Sequence, residues 1–105
     1  MIAPVQVKVS VEHEDGRTVV AVEGELDAFT AGEMRPVIDK LVEEKRSPIV
    51  LSLAGLRLID SSGVASLVGL LKRIRAQGGA VTVEGLKDQP LAIFRLLRLD
   101  RVFGP

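Results

Sequence analysis

Cysteine is absent from the 105 residues and histidine occurs once, as His13. The first absence excludes disulfides, thiolate chemistry and cysteine-based metal sites. The second argues against a histidine-rich zinc site or a Ser-His-Asp triad. An excess of charge of one sign is missing too. Fourteen Lys and Arg balance fourteen Asp and Glu, so a broadly cationic surface for direct nucleic-acid binding is not indicated. No apolar run approaches the ~20 residues of a membrane span. Nothing resembles the strand–GxxxxGK[ST]–helix nucleotide loop, so ATPase chemistry of the chain's own is not expected. Met1-Ile2-Ala3-Pro4 leads straight into alternating strand residues, without the basic start and apolar block of a signal peptide. The expectation is one cytoplasmic domain over residues 1–105, with neither catalysis nor a cofactor or metal; domains typically run ~100–150 residues.

What is present is a clear periodicity. Val5 to Val11 alternates apolar and polar residues, the pattern of a strand with one buried face. Asp15-Gly16 is a two-residue hairpin turn, with Glu14 and Arg17 as a flanking charge pair. Arg17 to Glu23 is the returning strand. Thr30-Ala31-Gly32-Glu33 matches a capping box. It precedes a helix with Met34, Val37, Ile38 and Leu41 on its apolar stripe. Pro36 implies a bend there, or a start later than Thr30. Pro48 to Leu53 is a third strand, followed by a short connection from Ala54 to Leu58. Val64, Leu67, Val68, Leu71 and Ile74 mark a second helix, stopped by Gln77-Gly78-Gly79. Ala80 to Glu84 is a fourth strand. A third helix opens at Asp88 or Gln89 with Pro90, carrying Leu91, Phe94 and Leu97 with Ile93 at the edge. Val102-Phe103 reads as a terminal apolar tuck.

The order β-β-α-β-α-β-α predicts an α/β fold with a small mixed four-stranded sheet. Strands covered on both faces read as continuous apolar runs. Here Gln6, Lys8 and Ser10, then Ser52, then Thr82 and Glu84 interrupt with period two, so the helices are expected mainly on one face.

The stretch Asp60-Ser61-Ser62-Gly63 lies where a strand pattern hands over to the central helix. Asp and Ser at a helix start offer side-chain oxygens to first-turn amides that otherwise lack partners. The same amides, with the helix dipole behind them, suit a phosphate. Asp60 can cap the helix or hold the Ser61 hydroxyl. Ser62 reads as a cap or first-turn residue and is the alternative phosphate acceptor to Ser61. Gly63 allows close backbone approach. Lys72, Arg73 and Arg75 read as a solvated face near the helix C-terminus. Phe94 and Phe103 read as core, and Glu25 and His13 as surface groups.

With Gly24-Glu25-Leu26-Asp27, Ile59-Asp60-Ser61-Ser62-Gly63 and Gln77-Gly78-Gly79 at this spacing, the chain resembles the STAS family. It is most similar to the bacterial anti-sigma-factor antagonists, from the first hairpin to Phe103. The resemblance implies a partner-switching binding module rather than an enzyme. Its partners would be an anti-sigma factor that is also an ATP-dependent serine kinase, and a PP2C-type phosphatase that resets the switch. It implies phosphorylation at Ser61, directly after the motif aspartate, and partner binding through Asp27, Asp60, Ser61, Ser62 and Gly63. An adaptor subunit of a stressosome or lipid-transport complex, without a phospho-switch, is the alternative within the family. A receiver domain phosphorylated on Asp60 is a further alternative, disfavoured because no acidic cluster follows a first strand. The family commonly has a glycine where Arg98 precedes Leu99-Asp100.

Overall fold

A computed structural model describes residues 6–103. Met1 to Val5, where the expected leaderless start and the first residue of the opening strand fall, lie outside the described residues. β1 (Val7–Glu14) and β2 (Arg17–Leu26) form the hairpin. Asp15 and Gly16 both take positive φ, 48° and 75°, as a two-residue turn of this kind demands. Glu14 pairs with Arg17 at 3.6 Å. A 3-10 turn (Ala31–Glu33) leads into α1 (Met34–Glu43). The late start puts Pro36 in the first turn, where its missing N–H removes no intrahelical bond. β3 (Ile49–Ser52), β4 (Leu56–Ile59), α2 (Ser61–Ala76), β5 (Val81–Glu84), α3 (Asp88–Leu96) and α4 (Leu99–Val102) follow. No helix among the described residues is long and apolar enough to cross a membrane.

The sheet is mixed, as expected, but has five strands where the sequence suggests four. The extra strand is β4, which falls in the stretch read as a connection. β2 is ten residues long and β3 only four. β3 runs parallel to Thr18–Ala21, and β4 continues beside Gly24–Leu26 past an irregularity at Gly24/Glu25. Gly24 N–H donates to the Gly55 carbonyl at the handover. Four residues with apolar ends, Leu56 and Ile59, carry too little alternation to announce a strand. They become one because the end of β2 would otherwise present unpaired backbone groups.

Register and burial agree on the faces except at Val50, which is buried although it lies on the open face beside Val19 and Thr82. Val20 and Val22, with Ile49, Leu51 and Val81, share the covered face and are buried. Lys8, Ser10, Glu12, Glu23 and Glu84 point the other way and are exposed, with Val19, Ala21 and Thr82 half-buried beside them. Met34, Ile38 and Leu41 of α1 complete the core with Leu67, Leu70, Leu71 and Ile74 of α2. Burying a Leu or Ile side chain stabilises by about 1.5–3 kcal/mol, so this face dominates the fold's energetics. α2 stops as expected. Gly78 takes φ 81°, and the Gly78 and Gly79 amides donate to the Arg75 and Ile74 carbonyls.

Three local expectations are corrected. Thr30 does not cap a helix with its side chain; its hydroxyl turns back to Asp27 and Glu25. Leu97 does not continue the α3 stripe. The helix ends at Leu96, so Leu97 projects outward, 51% exposed, while Pro90 and Phe94 are buried. Glu25 is more than a surface charge, being half-buried and 3.4 Å from Arg57. Phe103 tucks against Phe94 with ring centroids 5.7 Å apart, although Val102 stays 40% exposed.

Arg98, one residue beyond the Leu97 C-cap of α3, lies in the left-handed region, φ 57° and ψ 31°, the position glycine usually takes after a helix. The chain keeps the backbone conformation without the residue that adopts it freely. Left-handed geometry costs a non-glycine residue roughly 1–2 kcal/mol, and glycine loses about 0.4–1 kcal/mol through the greater freedom of the unfolded chain. Arg98→Gly is therefore expected to stabilise by about 0.5–1 kcal/mol. The check is thermal unfolding, with a rise of about 2–6 °C in Tm.

Candidate functional site

The site lies beyond the C-terminal ends of β2 and β4, and Asp60 is at its centre. Its backbone is extended, φ −115° and ψ −172°, and it is the N-cap of α2. Oδ1 accepts from the Ser62 amide at 2.9 Å and the Gly63 amide at 3.0 Å. Oδ2 accepts from the Ala28 amide at 3.1 Å. Its own amide donates to the Leu26 carbonyl at 3.2 Å, and its carbonyl accepts the first intrahelical bond, from Val64. The cap is thus Asp60 rather than either serine. Of the helix-start amides without intrahelical partners, that of Ser61 alone is not engaged by Asp60 or β2.

This alters the expected place of a phosphate. The Ser62 and Gly63 amides are already held by a carboxylate, so they are not a vacant anion cradle. Ser61 is nevertheless exposed at the first position of a 16-residue helix, and Ser62 is half-buried. α2 has basic Arg73 and Arg75 in its last turn, as the dipole favours. Arg73 reaches Asp39 at 2.7 Å, and Arg75 donates to the Val102 carbonyl, so both serve to tie α2 to its neighbours.

Asp27 shapes the adjoining loop. Its Oδ1 accepts from the Phe29 amide at 2.9 Å and the Thr30 amide at 3.1 Å. The Thr30 hydroxyl, on a residue only 3% exposed, donates to the Glu25 carbonyl at 2.7 Å and accepts from the Asp27 amide at 3.0 Å. The loop is therefore closed on itself and tied to α2 through Ala28. Gly63 lies beneath: a Cβ there would stand 2.3 Å from the Leu26 carbonyl oxygen and 2.7 Å from Ile59 Cγ1. No residue with a side-chain carbon fits that contact unchanged.

All five residues singled out from the sequence, Asp27, Asp60, Ser61, Ser62 and Gly63, come together here. Two others were missed. The Gln89 carboxamide, on α3, brackets Ile59: it accepts from the Ile59 amide and donates to the Ile59 carbonyl, both at 2.9 Å. It stands in for the next strand, and nothing in its sequence surroundings signals that role. Phe29 is 94% exposed at the loop tip; the available signal was an aromatic residue off every periodic face. Among the described residues no three His, Asp or Glu side chains converge on a common point.

Comparison with known proteins places this geometry. The STAS domain family model matches residues 8–105. An anti-sigma F factor antagonist of Paenibacillus polymyxa is 33% identical over 97 residues, covering 91% of this chain and 80% of that protein. An anti-sigma factor antagonist from Mycobacterium paratuberculosis superposes with a TM-score of 0.82 at 26% identity, over 98% of this chain and 87% of that one. The Bacillus cell fate determinant SpoIIAA, in its phosphorylated form, shares the fold with a TM-score of 0.71 at 21% identity, over 88% and 85%.

Two substitutions test the scaffold of the site. Gly63→Ala is expected to destabilise by about 3 kcal/mol, since the new methyl group meets backbone that cannot yield cheaply. Gln89→Ala leaves the amide and carbonyl of a residue 2% exposed without partners, at about 1–3 kcal/mol for each such group. Urea unfolding midpoints measure both losses.

Proposed function

This chain belongs to the STAS domain family, and on that premise we propose that it is an anti-sigma-factor antagonist switched by phosphorylation of Ser61. In its unmodified state it binds an anti-sigma factor that is also a serine kinase, through the Asp27 loop and the first turn of α2, and so releases a sigma factor. The kinase transfers phosphate from ATP to the Ser61 hydroxyl and lets go. A PP2C-type phosphatase restores the binding form. The observation that carries this reading is the exposed Ser61 at a helix tip whose neighbouring cap, Asp60, also holds the Asp27 loop.

The physical logic is local. Phosphate adds a charge of about −1.5 to −2 directly beside the Asp60 carboxylate. The fold accommodates it because Ser61 faces solvent and the positive end of the α2 dipole. A docked partner does not, because unfavourable charge juxtaposition in an interface costs several kcal/mol. No large rearrangement is required, since the cap and loop bonds are already made before modification. Ser62 is the poorer acceptor: it is half-buried, and its amide is fixed by Asp60.

Mass spectrometry of the protein from its native cells is expected to find phosphate on Ser61, stable to acid and resistant to hydroxylamine. An acyl phosphate on Asp60 would behave oppositely and end this reading. The kinase purified by its ATP-dependent labelling of this chain is expected to bind Ser61→Ala like wild type but leave it unlabelled. Ser61→Glu, planar and singly charged, is expected to weaken binding by about tenfold, and true phosphoserine by about a hundredfold. Titration calorimetry reads both.

A further inference from the structure

We propose that Phe29 is the apolar anchor of this docking surface, its ring seated in an apolar pocket of the serine kinase next to the kinase's phosphotransfer site. The proposal rests on the reading of Ser61 as the phosphate acceptor and names the contact that holds the enzyme there. The chain has three phenylalanines. Phe94 and Phe103 are buried against each other, 0% and 2% exposed, whereas Phe29 is 94% exposed. Singly exposed apolar residues are ordinary, so exposure alone assigns nothing. Rigidity and position do.

The loop that holds Phe29 is fastened at every residue around it. The Ala28 amide bonds to Asp60 Oδ2, the Phe29 amide to Asp27 Oδ1, and the Thr30 amide to the same oxygen. Thr30 is buried and anchored to the end of β2 through Glu25. The ring is therefore presented on backbone that is already ordered, which lowers the entropy cost of gripping it. Aromatic residues are enriched at interface cores, where a rigid ring buries about 150–250 Å².

Position supplies the identity of the partner. Ser61 joins Asp60 covalently, Asp60 joins Ala28 by a 3.1 Å hydrogen bond, and Ala28 joins Phe29. Even fully extended, those links span at most about 16 Å between Cα atoms. A stable protein–protein contact covers about 800 Å² on each partner, a disc of about 16 Å radius. An enzyme centred on the Ser61 hydroxyl thus reaches the backbone from which the exposed Phe29 ring projects. The division of labour follows: Phe29 contributes affinity whatever the state of Ser61, and the phosphate subtracts from it.

The experiment uses the full chain with the kinase purified by its labelling of Ser61, plus ATP. Phe29→Ala is expected to weaken binding about 30-fold or more, the range of an interface hot spot. It should raise KM for Ser61 phosphorylation by a similar factor with kcat unchanged, the signature of a contact made equally before and during transfer. Phe29→Leu is expected to recover most of the loss, and the thermal midpoint of both variants should match wild type because the ring packs on nothing. Wild-type affinity for Phe29→Ala, with Ser61→Glu still weakened, would overturn the anchor and leave the Ser61 switch intact. Wild-type affinity for both variants would overturn the switch itself.

Discussion

Asp60 ties together three parts of the chain through its carboxylate and its backbone amide. One oxygen takes the first-turn amides of α2, the other takes the Ala28 amide of the loop after β2, and the residue's own amide reaches the end of β2. Each bond on its own is modest, ~1 kcal/mol for a cap of this type. Their convergence on one side chain matters more. It fixes the orientation of α2 relative to the loop, and thereby the place of Ser61 relative to Phe29.

Asp60 in turn depends on strand pairing behind it. β4 lies beside the end of β2, and Gln89 closes its free side at Ile59. Gly63 permits the helix to begin in direct contact with the Leu26 carbonyl. The surface available to a partner is therefore built on ordered backbone, with only side chains projecting from it. The proposed phosphorylation of Ser61 would change this surface by one covalent group.

Much of this was legible in the chain. Alternation and one apolar run placed four strands, Asp15-Gly16 placed the hairpin turn, Gln77-Gly78-Gly79 ended α2, and the Asp-Ser-Ser-Gly run sat at a helix start. The losses came where local pattern and tertiary demand differ. Leu56 to Ile59 is too short to show a period and is a strand only because β2 outruns β3. Thr30 and Glu33 have the spacing of a capping box, yet the Thr30 hydroxyl is drawn to the Glu25 carbonyl across the loop. Arg98 adopts a glycine conformation that its identity disfavours, because Leu99 and Phe103 must return to the core.

Sequence alone determined the α/β alternation, the facing of the apolar stripes and the presence of Asp27, Asp60, Ser61, Ser62 and Gly63 near element ends. These follow from periodicity and turn chemistry, which act over a few residues. Tertiary structure alone decided that the Asp60 cap also takes the Ala28 amide of the loop after β2, that Gln89 completes β4 and that Phe29 is left in solvent. Those outcomes depend on hydrogen-bond partners some thirty positions apart in the chain, and a partner at that separation exists only once the sheet has brought the strand ends together.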